Sequence, residues 1–158
     1  MTWQPGRDRV ERLLTAGELE AVAPDDAVAQ RLISNESKHL VTAASALQAD
    51  DLAGAYQLAY DALRKSAAAL LAAQGLRATS RGGHIAIQES VAAQFGASVQ
   101  AFKSYSRIRR ARSEFEYPDS STQGPTADDV QDAISVATQA RDAAVTILDQ
   151  SLLGPWIA

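Results

Sequence analysis

Residues 52–75 read LAGAYQLAYDALRKSAAALLAAQG, a segment in which apolar side chains recur at the spacing of an α-helix. Asp50 or Asp51 is a suitable N-terminal cap for this helix, and Gly75 is a suitable residue to end it. Its predicted inner face consists of Tyr56, Ala59, Leu63 and Leu70. Five alanines between positions 67 and 73 leave room for a neighbouring helix to approach closely. The segment therefore predicts a long helix that is tightly packed against another.

Helical spacing continues along most of the chain, and no run of four or more residues is typical of a strand. Thr126 and Asp129 have the spacing of a capping box, and Pro118 is expected to end the helix that Ser98 begins. We expect further helices over residues 7–19, 24–50, 84–95, 98–117 and 126–153, and a flexible loop over residues 77–83. The predicted fold is all-α, an up-and-down bundle of four to five helices with a short additional N-terminal helix.

The length and composition are those of one ordinary globular domain. The chain has 158 residues, of which 46% are hydrophobic and 22% are charged, and no repeat or linker divides it. We therefore expect a single domain over residues 1–158. The absence of cysteines, of a signal peptide and of any apolar run near the roughly 20 residues of a membrane span favours a cytoplasmic location without membrane attachment.

Charge is distributed unevenly along the sequence. The net charge is −4, but residues 103–112 contain five cations and no acids, whereas the remainder has ten cations against nineteen acids. A local basic surface on an acidic body directs an anionic ligand to one place instead of binding it everywhere.

One arginine occupies an unusual position on the helix predicted over residues 98–117. At about 100° per residue, Arg112 falls inside an apolar arc formed by Tyr105, Ile108 and Phe115. A buried guanidinium is costly unless it is paired or faces water. An ordinary explanation is an ion pair with Glu116, four residues later. However, four arginines within the six residues 107–112 favour a functional role.

Four segments together resemble a bacterial HEPN domain. They are AYQLAYDALRK at 55–65, ALLAAQGLR at 69–77, GGH at 82–84 and RRARSEFEYP at 109–118. The resemblance extends over about residues 27–148 and rests on order and spacing. It implies a helical bundle that dimerises, so that an arginine and a histidine a few residues later meet their counterparts in a cleft. Many such domains are metal-independent ribonucleases, often toxins that a nucleotidyltransferase encoded alongside neutralises.

The resemblance assigns roles to residues of the arginine-rich helix. Arg112 takes the arginine position, Ser113 the polar position after it, and Tyr117 the histidine position, so that Arg112 and Tyr117 are the catalytic candidates. A tyrosine with a pKa of about 10 is a poor general base at neutral pH. Tyrosine in place of histidine is therefore expected to impair RNA cleavage more than phosphate binding. The expected phosphate-binding residues are Arg107, Arg109, Arg110 and Arg112, supported by Ser113, Glu116 and His84.

Other kinds of site receive little support from the sequence. His84 follows two glycines and is ordinarily explained by contacts at a helix start, although a dimer can bring it to the cleft. His39 is expected at or near the surface, and two distant histidines without cysteines do not form a zinc site. The glycine-rich loop at 80–83 lacks the lysine of a nucleotide-binding loop. We therefore expect no metal and no cofactor.

Two functional hypotheses follow. The first is a homodimeric RNA-binding protein, the toxin-like or defence component of a toxin–antitoxin-like pair. Its activity as a metal-independent ribonuclease would be weak, conditional or lost, and a nucleotidyltransferase-type antitoxin would be its partner. In a variant of this hypothesis, the partner adenylylates Tyr117 and so quenches the basic surface. The second is a non-catalytic dimerisation or protein-interaction module, in which Glu116 is the counter-charge and no nucleic acid binds.

Overall fold

The computed structural model describes residues 3–156, so the extreme ends of the predicted domain, residues 1, 2, 157 and 158, lie outside the described residues. The elements are α1 Arg7–Thr15, β1 Leu19–Ala21, α2 Asp26–Gln48, α3 Leu52–Gln74, β2 Leu76–Ala78, α4 Gly83–Phe95, α5 Gln100–Glu116 and α6 Ala127–Asp149. This arrangement confirms the predicted all-α bundle, with α1 as the short additional helix. Among residues 3–156, no helix has both the length and the hydrophobicity needed to cross a membrane.

The central helix is α3, which packs against α2, α4, α5 and α6. Thirteen of its 23 residues are buried, so it supplies the middle of the core. The side chain of Asp51 caps its first turn, and Gly75 ends it in the left-handed conformation at a φ of 74°. Ala69 and Ala73 pack with Ala29 of α2, as the alanine-rich sequence predicted.

A two-stranded antiparallel sheet pairs two segments, parts of which the sequence predicted as the end of a helix and the start of a loop. Leu19 pairs with Ala78, and Ala21 pairs with Leu76. The helix expected over residues 7–19 was too long, because α1 ends at Thr15 and Leu19 is a buried residue of β1. The loop expected over residues 77–83 likewise begins within β2. Strands of three residues show no periodicity in a sequence, and their pairing depends on a distant partner.

The boundaries of two helices also differ from the predictions. Ser98 does not cap α5, because its hydroxyl donates to the carbonyl oxygen of Phe95 and Val99 is the residue before the helix. The capping box of Thr126 and Asp129 is present at the start of α6, but that helix ends at Asp149, earlier than expected.

A carboxyl group is fully buried in the core. Glu36 of α2 accepts a hydrogen bond from the hydroxyl of Ser66 on α3, and its other oxygen, Oε1, has no hydrogen-bond partner among the described residues. Burial raises the pKa of Glu36 to about 8, although the bond from Ser66 opposes this shift. The carboxyl is therefore mostly protonated at neutral pH.

This carboxyl makes stability depend on pH. Because the pKa of Glu36 is about 8 in the folded chain and 4.5 is its ordinary value, its contribution is fully present below the ordinary value and is lost as pH rises through about 8. Between about pH 5 and about pH 9, the free energy of unfolding should fall by on the order of 3 kcal/mol. Urea denaturation across this range measures the fall.

The substitution Glu36→Gln removes the titrating group and keeps a similar shape, so its free energy of unfolding should change much less over the same pH range. Glu114→Gln on the exposed surface is the matched control and should behave as the wild type does. If the wild-type chain and Glu36→Gln showed the same pH dependence, Glu36 would not be its source.

Candidate anion-binding site

Three helices meet at the side chain of Tyr60, which lies on α3 and is 1% exposed. Its hydroxyl forms a 2.9 Å hydrogen bond with Nδ1 of His84 on α4. The guanidinium carbon of Arg112 on α5 lies 5.3 Å from the centroid of its ring, within the range of a cation–π contact. One buried tyrosine therefore fixes a histidine and an arginine from two other helices.

Arg112 is half-buried and has no carboxylate partner among residues 3–156. Its Nε donates a 2.7 Å hydrogen bond to Oε1 of Gln57 on α3. The ion pair expected with Glu116 is not formed: Glu116 is exposed, and no ion pair among residues 3–156 joins the two. Because its neighbours are a neutral amide and an aromatic ring, the positive charge of Arg112 is not offset by a negative one among the described residues.

Arg109 repeats this arrangement one turn earlier on α5. It is half-buried, and its Nε donates a 2.7 Å hydrogen bond to Oε1 of Gln88 on α4. A third cation, Arg64 of α3, differs because its Nε donates to Asp61 at 2.9 Å. Asp61 therefore offsets the charge of Arg64, while the charges of Arg109 and Arg112 remain. We call Tyr60, Arg64, His84, Arg109 and Arg112 the Tyr60 cluster.

The charges of the cluster act on its histidine. Burial and the positive charges of Arg64, Arg112 and Arg109 lower the pKa of His84, and Asp61 opposes them only in part. Burial also raises the pKa of Tyr60. At neutral pH the cluster therefore contains a neutral imidazole, a protonated phenol and a surplus of positive charge, which suits an anionic ligand.

The start of α4 is held in place by the N-terminal part of the chain. The hydroxyl of Thr79 donates to the carbonyl oxygen of Gly17 at 2.6 Å, and Arg81 donates to that of Ala16 at 3.0 Å. Gly82 lies so close to this segment that an added Cβ would be 2.1 Å from the carbonyl oxygen of Glu18. These contacts fix the backbone two residues before His84, so that its ring can reach Tyr60.

The remaining predicted site residues lie outside the cluster. Arg107 forms an ion pair at 2.7 Å with Asp132 of α6, and Arg110 donates to the carbonyl oxygen of Ser106 on its own helix at 3.3 Å. Tyr117 follows the end of α5 with 75% of its surface exposed. Ser113 and Glu116 are also exposed. Of the predicted set, the structure brings together Arg109, Arg112 and His84, and the catalytic role of Tyr117 stays a prediction.

The contribution of α3 to this site was not among the expectations from the sequence. Gln57, Asp61 and Arg64 recur at helical spacing on an otherwise apolar, alanine-rich helix. This polar stripe could have indicated that α3 contributes to the site. No comparable pattern in the sequence indicated Gln88 of α4. Within residues 3–156, no group of three or more histidine, cysteine, aspartate or glutamate side chains is placed to hold a metal ion.

The comparisons with known proteins add one finding. A family model described as HEPN domain matches residues 29–148, which is most of the chain and includes every member of the Tyr60 cluster. Neither the curated proteins nor the solved structures that were searched gave a significant match.

The charge of Arg112 should be detectable at His84. The substitution Arg112→Gln removes one of the positive charges that lower the pKa of His84, so this pKa should rise towards its ordinary value. NMR titration of the ring protons measures it. Arg107→Gln is the matched control, because Arg107 lies on the same helix but pairs with Asp132. A His84 pKa that stayed unchanged in Arg112→Gln would show that the guanidinium does not act on the ring.

Proposed function

The chain belongs to the HEPN domain family, and we propose that it binds RNA phosphates at the Tyr60 cluster. The observation that carries this proposal is the state of Arg109 and Arg112, two half-buried guanidiniums whose partners are neutral amides. A structural arginine in such a position is normally paired with a carboxylate, because an unpaired buried charge is costly. A phosphate group would supply the missing negative charge.

The hydrogen-bonding capacity of the two arginines fits this ligand. Each uses Nε to bind a glutamine, and within the described residues the terminal Nη groups make no hydrogen bond. The glutamines therefore orient the guanidiniums and leave their outer donors for phosphate oxygens. Lys103 and Arg110 are exposed on the same helix and would attract the RNA backbone, while the acidic remainder of the surface would repel it.

We also propose that the chain is the toxin-like or defence component of a toxin–antitoxin-like pair. HEPN domains commonly dimerise, and a homodimer would place two Tyr60 clusters on one RNA. The proposed partner is a nucleotidyltransferase-type antitoxin. Tyr117 is 75% exposed beyond the end of α5, and this exposure would give such a partner access to its hydroxyl.

The alternative function is a non-catalytic interaction module. It is favoured by Ile85, which follows His84 and is 49% exposed, and by the exposed ring of Tyr117. Exposed apolar side chains of this kind suit a protein interface. Dimerisation without detectable RNA binding at low salt would favour this alternative over the first.

The double substitution Arg109→Gln with Arg112→Gln should weaken binding of single-stranded RNA at least roughly tenfold at low salt, because two phosphate contacts are lost. The slope of log affinity against log salt concentration should fall by about 1.4. Filter binding over a salt series measures both quantities.

The matched control is Arg107→Gln with Arg110→Gln, which removes the same charge from the same helix but outside the cluster. Its effect should be clearly smaller. Equal losses in the two double variants would place binding on the general basic surface of α5, and no loss in either would contradict the RNA-binding proposal.

The proposed modification gives a separate expectation. After co-expression with the product of the neighbouring gene, the mass of the chain should increase by one or more nucleotidyl groups, and Tyr117→Phe should remove the increase. Tyr56→Phe is a suitable control because Tyr56 is buried, 3% exposed. An unmodified chain in a normally formed complex would contradict this part of the proposal.

A further inference from the structure

The arginine-rich helix α5 has no histidine, but the fold brings one to it from another helix. His84 is the second residue of α4 and lies at the exposed side of the Tyr60 cluster. Its Nδ1 is bound to the hydroxyl of Tyr60 at 2.9 Å, and its other ring nitrogen, Nε2, makes no hydrogen bond among the described residues. The cluster therefore holds an oriented imidazole with one nitrogen available for a ligand.

What this imidazole can do depends on its tautomer, because the hydrogen bond between Tyr60 and Nδ1 can have either group as the donor. In the tautomer that carries its hydrogen on Nδ1, the ring donates to the oxygen of Tyr60 and leaves a lone pair on Nε2. Tyr60 is buried and keeps its own proton, because burial raises its pKa. Burial and the positive charges of Arg64, Arg112 and Arg109 lower the pKa of His84 and favour the neutral ring, while Asp61 of α3 opposes them in part. A neutral imidazole with a free lone pair is a general base.

We propose that His84 is the general base of a metal-independent ribonuclease site in which Arg109 and Arg112 hold the scissile phosphate and Tyr60 is a positioning residue. This inference rests on the proposed binding of RNA at the Tyr60 cluster. It assigns the proton transfer to a helix different from the one that holds the phosphate, and it gives Tyr117 no part in this step.

The reaction is an internal transfer of the phosphodiester. Nε2 of His84 takes the proton of a ribose 2′-hydroxyl, and the 2′ oxygen forms a bond to the adjacent phosphorus. The bond from phosphorus to the 5′ oxygen of the next nucleotide breaks, and this oxygen takes a proton from water. The proton on His84 returns to the solvent. The products are a 2′,3′-cyclic phosphate and a 5′-hydroxyl, and no water is consumed.

Each part of the cluster has a role in this reaction. Negative charge develops on the phosphate oxygens as the 2′ oxygen attacks, and the outer nitrogens of Arg109 and Arg112 can stabilise it. Tyr60 holds the ring of His84 through Nδ1, which leaves Nε2 for the ligand. Because the nucleophile is the 2′-hydroxyl, a strand without this group can bind but cannot be cleaved.

The test uses the full chain and a labelled single-stranded RNA that contains every dinucleotide step, in the presence of a metal chelator. Wild-type protein should cleave it to fragments with 2′,3′-cyclic phosphate ends. His84→Gln should lower the single-turnover rate constant by at least about 100-fold, the usual contribution of a general base, with unchanged affinity for the RNA. The matched control is His39→Gln, because His39 lies on α2 and interacts with Lys65 and Asp61. It should cleave as the wild type does.

Three further measurements test the proposed chemistry, and the first two distinguish a chemical role of His84 from a structural one. The wild-type kcat/KM, which reports the protein without bound RNA, should rise with pH and reach its plateau below the ordinary pKa of histidine, because the pKa of His84 is lowered. Tyr60→Phe should lower the rate constant with little change in affinity, since it removes the hydrogen bond that orients the ring. An RNA with 2′-O-methyl groups should bind and remain intact.

The outcomes separate this inference from the proposed function on which it rests. Wild-type protein that binds the RNA without cleaving it, or His84→Gln that cleaves at the wild-type rate, would overturn the role of His84 and leave RNA binding in place. Failure of the wild-type protein to bind the RNA would overturn both. Cleavage that is lost in His84→Gln, retained in His39→Gln and blocked by 2′-O-methylation would support the inference.

Discussion

The contact on which the candidate site depends is the guanidinium of Arg112 over the buried ring of Tyr60. The ring attracts the cation without neutralising it, and Gln57 holds its Nε with a neutral oxygen. The arginine is therefore half-buried with a positive charge that no carboxylate among the described residues offsets. Because the hydroxyl of the same tyrosine binds His84, the positions of the cation and the imidazole are coupled.

This coupling depends on parts of the chain that lie far apart in sequence. The central helix α3 provides Tyr60, while the short sheet and the contacts of Thr79 and Gly82 place the first turn of α4 beside it. Strand β1, which supports this turn, precedes residues 29–148, the part that matches the family model. The N-terminal segment is thus part of the framework of the site.

Electrostatics gives the cluster its chemical character. Asp61 offsets Arg64, but Arg109 and Arg112 face amides, so that positive charge is concentrated at one place on an otherwise acidic chain. The same charges disfavour a protonated His84. Although α5 contains no histidine, the cluster has an imidazole, because α4 contributes His84.

Local patterns in the sequence were sufficient for the helical class, for the cap at Asp51, for the stop at Gly75 and for the unusual position of Arg112. Periodicity and capping involve residues within one or two turns, so a single chain displays them directly. Three contacts could not be predicted from the sequence. They are the pairing of β1 with β2, the hydrogen bond of Arg112 to Gln57 instead of an ion pair with Glu116, and the approach of Arg112 and His84 to Tyr60. Such contacts depend on how helices distant in sequence pack, and that packing exists only in the folded chain.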